Sequence, residues 1–454
     1  MKETIRINPG EIIGSIKKVN GGNLAPAIVN EKAGGNIRKE FGELHLPVTR
    51  LHDAPLENAG TRLVDVPLIF ANFHADVEDP RNYYFKQTDD YLRNCMELGT
   101  AIYYRLGTSI EHGVHKYFLD PPEPRRWIEI VSHIIRHYTE GWADGFRFDI
   151  PFWEIWNEPE CTDCDGLPLM WNGSPEEFNA FFAETATALK QRFPHLKFGG
   201  PAHCWFGDHS REFLRFCAKH NVPLDFYSYH SYAGDPSQLL SSPAEVRKAL
   251  DENGYRNTEI HLNEWHYFPL DWKKLREDKS YRATAYPIMK GLESAAFLNA
   301  VLIGWQDTPL DLGCYYTATA TNWGLFDPFS RPTKSYYGMK AFGETARFPK
   351  RVKTETVHRT PGVSALAAEQ ENGDLRVLVS CFKTGAAELE FELASPERFS
   401  RLELLLLDDT RDLEPVFRTG TIHGPLAATT PSDSGVFLLQ CTRASSRAPS
   451  GRKH

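Results

Sequence analysis

Short apolar runs alternate along the chain with stretches whose apolar positions recur every three or four residues. Eight runs read as strands: 11–16, 47–52, 101–106, 152–156, 197–202, 224–232, 259–266 and 301–307. The first leads into what reads as a Gly/Asn turn at Gly21-Gly22-Asn23. Between the runs lie helical patterns. Residues 88–98 carry Thr88 and Asp89 as cap candidates and Gly99 as a stop, and 124–139 place Trp127, Ile128, Val131, Ile134 and Ile135 at helical spacing. Ser174-Pro175-Glu176-Glu177 is a helix start with a cap, a proline in the first turn and a glutamate at the third position. Further helices are expected over 211–220, near 243–253 and over 284–298. Parallel strands need crossover helices, and eight such units close a ring, so the α/β pattern predicts a (β/α)8 TIM barrel over 11–346. An open doubly wound sheet ranks behind it, because no glycine-rich phosphate turn follows the first run.

Past residue 347 the helical spacing stops. Runs at 377–382, 388–393, 402–407 and 436–440, separated by turns such as Glu371-Asn372-Gly373-Asp374, predict a small C-terminal antiparallel β-sandwich over 347–442. Ile5 and Ile7 alternate, which makes residues 1–10 a candidate extra strand of that module. Residues 443–454, rich in Ser, Arg and Pro, read as a disordered tail.

The fourth run is apolar and aromatic until it stops at Asn157-Glu158-Pro159, and proline cannot continue a ladder. The seventh run ends in the same way, at Asn263-Glu264-Trp265-His266. In a parallel barrel the strand C-termini are where chemistry is built. Either glutamate alone would more often be a surface or salt-bridged residue. Two carboxylates on separate strand ends among aromatic rings are what glycoside hydrolysis requires.

With 454 residues, a barrel plus a smaller module fits. A net charge of −9 supplies no basic stripe for phosphates, which argues against nucleic acid and anionic membranes as partners. Ten Trp suit stacking on sugars, and equally suit a large core. No apolar run approaches a membrane span. Met1-Lys2-Glu3-Thr4-Ile5-Arg6 lacks the apolar segment of a signal peptide, so reduced thiols and a cytoplasmic location are expected.

Trp153 to Pro159, His230-Ser231-Tyr232, Asn263-Glu264 and Trp305, in this order on the fourth, sixth, seventh and eighth runs, resemble glycoside hydrolase family 39 of clan A. Its best-known members are β-xylosidases and α-L-iduronidases. Arg50-Leu51-His52, Phe198-Gly199-Gly200-Pro201-Ala202 and residues 326–342 extend the resemblance over most of the barrel. It implies Glu158 as acid/base and Glu264 as nucleophile. It further implies that Asn157 would bond the sugar 2-hydroxyl, His230 and Tyr232 would lie near the nucleophile, His52 would bind ring hydroxyls and Trp305 would floor the sugar subsite. Asn263 and Trp265-His266, which flank Glu264, depart from the pattern of the bacterial xylosidases. A crowded Trp265-His266 pair would favour a pentose over a hexose.

The expected reaction is a double displacement that releases terminal β-D-xylose from short oligosaccharides or aryl glycosides, with no cofactor and no metal. Alternatives are α-L-arabinosidase, galactosidase or iduronidase activity, the last needing a cation such as Arg50 or Arg105. Arg50 reads instead as a brace for the nucleophile. A non-enzymatic carbohydrate-binding barrel would be expected to lack one of the two glutamates. Cys161-Thr162-Asp163-Cys164 has metal-like spacing but no second pair follows, so loop packing is the better reading. A metal-hydrolase alternative would require His203, His209 and His220 to converge. The sequence leaves open whether the chain forms a homo-oligomer.

Overall fold

The structure is a computed structural model that describes residues 2–26, 36–53, 63–110, 120–163, 165–420 and 424–444. β1, Lys2–Ser15, opens the chain. Then follow β2 Gly21–Asn23, β3 Val48–Leu51, β4 Ala101–Leu106, β5 Phe152–Ile155, β6 Phe198–His203, β7 Phe226–Ala233, β8 Glu259–Tyr267 and β9 Leu312–Tyr315. β2 to β9 form a closed parallel barrel in chain order, shut by β2 against β9, where Gly21 lies opposite Cys314. Helices between the strands cover the outside, so the strands are buried on both faces and read as continuous apolar runs.

Two of the predicted barrel strands are corrected. Residues 11–16 do not open the barrel; most of them belong to β1, and the predicted turn at 21–23 is the first barrel strand. Residues 301–304 finish the helix Leu292–Gly304, Trp305–Asp307 is a 3₁₀ turn, and the eighth barrel strand is β9. The reason lies in that helix's surroundings. It is buried on all sides between the barrel and the second sheet, so it has no polar face to betray its period.

The second sheet contains β10 Lys350–Thr356, β11 Val363–Glu369, β12 Leu375–Cys381, β13 Ala387–Leu393, β14 Phe399–Leu407, β15 Asp412–Thr419, β16 Leu426–Thr430 and β17 Gly435–Arg443. Its order is β15-β14-β17-β12-β11-β10-β1-β13-β16, antiparallel except for β1 beside β13. The N-terminal strand therefore sits inside the sheet. Phe391 of β13 and Phe437 of β17 have four strands between them in the ladder, yet their rings are 6.4 Å apart. The sheet thus folds over its own core of Ile5, Ile7, Val377, Val379, Leu389 and Leu439. Alternate residues, Leu366, Leu378 and Val436, point the other way and join the barrel's core. Ser380 Oγ also donates to Ala296 O at 2.7 Å. Arg443 ends β17, and residues 445–454 of the predicted tail lie outside the described residues.

Candidate active site

β5 carries Glu154 inward and then breaks. Trp156 and Glu158 both have left-handed φ, +71° and +43°, which side-chain-bearing residues adopt only where their surroundings enforce it. The enforcement is visible in the backbone: Trp156 N donates to Leu106 O and Glu158 N to Ala202 O, both at 2.9 Å. Next door, Gly199-Gly200 of β6 permits the close approach. A Cβ on Gly199 would lie 2.0 Å from Phe226 O, and one on Gly200 would lie 2.7 Å from Ile155 O. So the Asn157-Glu158 corner is held by its neighbours on both sides.

β8 aims the second carboxylate with a bulge. Tyr229 of β7 pairs with Leu262 and the next residue, His230, pairs with Glu264, so Asn263 is extra. Both Asn263 and Glu264 consequently face inward. Asn263 Nδ2 donates to Glu154, and Tyr232 Oη donates to Glu264 Oε1.

His230 joins the two acids. Its Nδ1 is 2.6 Å from Glu158 Oε1 and its Nε2 is 3.7 Å from Glu264 Oε2. One oxygen of each carboxylate and a ring nitrogen all lie within 4.8 Å of one another. Burial works against a charge on this imidazole, but Glu264 and Glu158 outweigh it and its pKa is raised. For Glu264 burial dominates and raises the pKa; His230 lowers it, Glu158 adds to the rise, and Arg50 and Tyr232 oppose it.

Beneath the acids lies a buried charged network. Arg50 Nε donates to Glu154 Oε2 at 2.7 Å, Nη1 to Asn23 Oδ1 at 3.1 Å and Glu264 Oε2 at 3.3 Å, and Nη2 to Asn157 Oδ1 at 2.5 Å. Glu154 Oε1 also accepts from Ser228 Oγ at 2.7 Å and Tyr103 Oη at 3.3 Å. Burial disfavours the guanidinium charge, but Glu154, Glu264 and Tyr103 more than restore it, and its pKa is raised. Asn157 is thereby fixed by its oxygen, and its buried Nδ2 has no acceptor among the described residues.

Most of the residues singled out from the sequence converge here: Glu158, Glu264, Asn157, His230 and Tyr232 share one network. His52 is buried at the end of β3 beside Asp53, its Nε2 3.4 Å from Asp53 Oδ2. Trp265 and Trp305 are corrected. Both are fully buried and pack on each other outside the ring, centroids 4.8 Å apart, with Trp305 Nε1 donating to Leu239 O. Neither ring has surface left for a sugar. His266 is likewise buried, held by Tyr315 Oη at 2.9 Å, so the pair does not crowd the site. The aromatic wall is instead Tyr232, Phe268, Trp272 and Trp323, with the Tyr232 ring 5.4 Å from Trp272 and 5.7 Å from Trp323. Trp272 is 40% exposed.

Glu154, its partners Tyr103 and Ser228, and the Arg50 acceptor Asn23 were not singled out from the sequence as site residues. A signal existed for Glu154, a lone charge within the apolar run Phe152-Trp153-Glu154-Ile155-Trp156. Cys164 and parts of the long loops after β3 and β4, residues 54–62 and 111–119, lie outside the described residues. Among the described residues no helix is long and apolar enough to cross a membrane.

The profile of glycosyl hydrolases family 39 matches residues 60–356, about two thirds of the chain, including six of the eight barrel strands, β4 to β9. The chain belongs to this family. It is a glycoside hydrolase. A β-xylosidase of Caldicellulosiruptor saccharolyticus is 24% identical over 407 residues, covering 82% of this chain and 78% of that protein. A β-xylosidase of Geobacillus stearothermophilus is 26% identical over 290 residues, 59% of this chain and 51% of that protein. A solved glucosidase from Croceicoccus marinus superposes over 98% of this chain and 100% of its own, with a TM-score of 0.79 at 22% identity. At that identity the likeness speaks for the fold: the family 39 barrel together with its accessory sheet.

Proposed function

We propose that this family 39 member is a retaining, exo-acting β-xylosidase in which Glu264 is the nucleophile and Glu158 the acid/base. The carrying observation is that the two carboxylates and His230 bring their atoms within 4.8 Å of one another. Retention needs carboxyls about 5 to 5.5 Å apart, whereas inversion needs about 6.5 to 9.5 Å to seat a water between them. In the first step Glu264 bonds to the anomeric carbon while Glu158 gives its proton to the leaving oxygen. In the second, Glu158 takes a proton from water, and the water displaces Glu264 from the same carbon. Asn157 Nδ2 donates to the sugar 2-hydroxyl, and Trp272 and Trp323 supply stacking faces.

The two β-xylosidases that match in sequence support xylose. Trp265 and His266 are buried against other side chains and do not select a pentose over a hexose by crowding. A neutral sugar is favoured over a uronic acid, because Arg50 is committed to Glu154 and Asn157 and Arg105 is buried against Asp65 at 2.6 Å.

Proton NMR during hydrolysis of an aryl β-xyloside should show the β-anomer released first. Initial release of the α-anomer would reject the mechanism. Glu264→Gln should abolish turnover, while Glu158→Ala should spare the first step on leaving groups that need no proton. Equal losses on good and poor leaving groups would reject the Glu158 role. An enzyme that ignored aryl xylosides and arabinosides but cleaved a galactoside would leave the two carboxylates standing and refute the sugar.

A further inference from the structure

A second cluster lies on the far side of the Glu158 loop, where Glu160, His203 and His209 meet. They come from the loop after β5, the end of β6 and the first turn of the helix Asp208–Lys219. Each offers one ligand atom, and the three atoms lie within 4.8 Å of one another. Glu160 Oε1 accepts from Cys204 N at 2.7 Å and sits 3.1 Å from His209 Nε2, which is also 3.0 Å from Trp205 O and would give up that contact, or present Nδ1 instead, on binding a metal. Its other oxygen, Oε2, is buried and has no partner among the described residues. A buried carboxylate oxygen left unbonded is costly, and a cation held between it and the two imidazoles would satisfy it. Tyr227 Oη holds His203 Nδ1 at 2.8 Å, the outer hydrogen bond that orients a ligating ring and assigns ligation to Nε2. The His209 side chain is 25% exposed and provides a way in from solvent. His220 takes no part: it caps the same helix at its far end and packs on Phe216 at 4.4 Å.

We infer that Glu160, His203 and His209 form a zinc-binding site that ties the loop carrying Glu158 to β6 and the following helix. Two imidazoles and one carboxylate suit Zn2+ and related transition metals, whereas Mg2+ and Ca2+ demand oxygen ligands. The site is a tether, separate from the double displacement, and does not rest on the sugar or the stereochemistry proposed above.

The test is calorimetric titration of Zn2+ into the chelator-treated full chain, with melting temperatures recorded beside it. The wild type should bind one Zn2+ per chain and melt higher with it. Glu160→Gln keeps the shape and the acceptor for Cys204 N, and His209→Ala alters a partly exposed side chain. Each should weaken binding more than tenfold and remove the zinc-dependent rise in melting temperature. Cys161→Ser, which alters the thiol nearest Cys204 and Glu158, should leave both unchanged. Should either ligand variant fail to fold, the other alone decides the matter. No binding by the wild type, undiminished binding in Glu160→Gln or His209→Ala, or loss of binding in Cys161→Ser would overturn the assignment.

Discussion

Tyr232 and Glu154 show how much of this site depends on single groups behind the two acids. As the proposed nucleophile Glu264 must be ionised to attack, so activity should fall as pH drops through its pKa, which burial holds above the ordinary glutamate value of 4.5. The acid limb of kcat/KM should accordingly lie above that value. Tyr232→Phe removes a donor that favours the ionised form and should shift the limb higher still. Losing one hydrogen bond to a charged group, about 1.5–3 kcal/mol, should also lower kcat/KM about 10- to 100-fold. An unmoved acid limb would show that Tyr232 does not act through Glu264. Glu154→Ala leaves Arg50 buried without its main partner and should cost about 3–5 kcal/mol in urea unfolding. A loss below about 1 kcal/mol would mean that Asn157 and Glu264 compensate for it.

At the scale of elements, β1 is the decisive strand because it alone links β10 to β13 and β16. Ile5 and Ile7 are fully buried on its inner face, and Ile7→Ala should cost about 2–5 kcal/mol. Glu3, at its start, accepts N–H groups from Thr4, His358 and Thr360 at 2.9, 2.8 and 2.8 Å. Burial alone would raise its pKa, but these bonds outweigh burial and lower it from 4.5. With a depressed folded pKa, Glu3 stabilises the sheet above the ordinary glutamate range, and that contribution is lost as pH falls through the lowered value. Glu3→Gln should flatten the acid side of the stability profile. A profile identical to wild type would exclude Glu3 as an anchor.

For the whole molecule, the barrel and the second sheet share a core across the helix Leu292–Gly304, roofed by Leu366, Leu378 and Val436. Ending the chain near residue 347 would bare this apolar face and also strand β1 without its sheet. The truncated barrel should aggregate, and light scattering would detect it. A soluble, fully active barrel would show the second sheet to be dispensable.

The alternation of strands and helices, the capping box at Ser174, and the Asn-Glu pairs after β5 and within β8 were all legible from the chain alone, because each is a local pattern, although β8 runs on past Glu264 to Tyr267. Ser174 and Glu177 need only each other, and their reciprocal bonds are present in the structure. Local patterns fail where burial is two-sided. Residues 301–304, the last turn of the helix Leu292–Gly304, read as the start of a strand because both faces of the helix are covered, and the three-residue β2, with two glycines, reads as a turn because its pairing with β3 and β9 lies far away in sequence. Side-chain direction fails for a similar reason. Whether Glu264 faces inward and Trp265 outward is set at the Asn263 bulge, by register against β7, and no spacing within β8 announces it. The sequence determined which residues can do acid–base chemistry on sugars. Tertiary structure decided which of them meet, since the Arg50–Glu154 pair and the His230–Glu158 bridge join residues on or just past strands that are not neighbours in the sheet, and the Glu160–His203–His209 cluster joins a loop, a strand end and a helix.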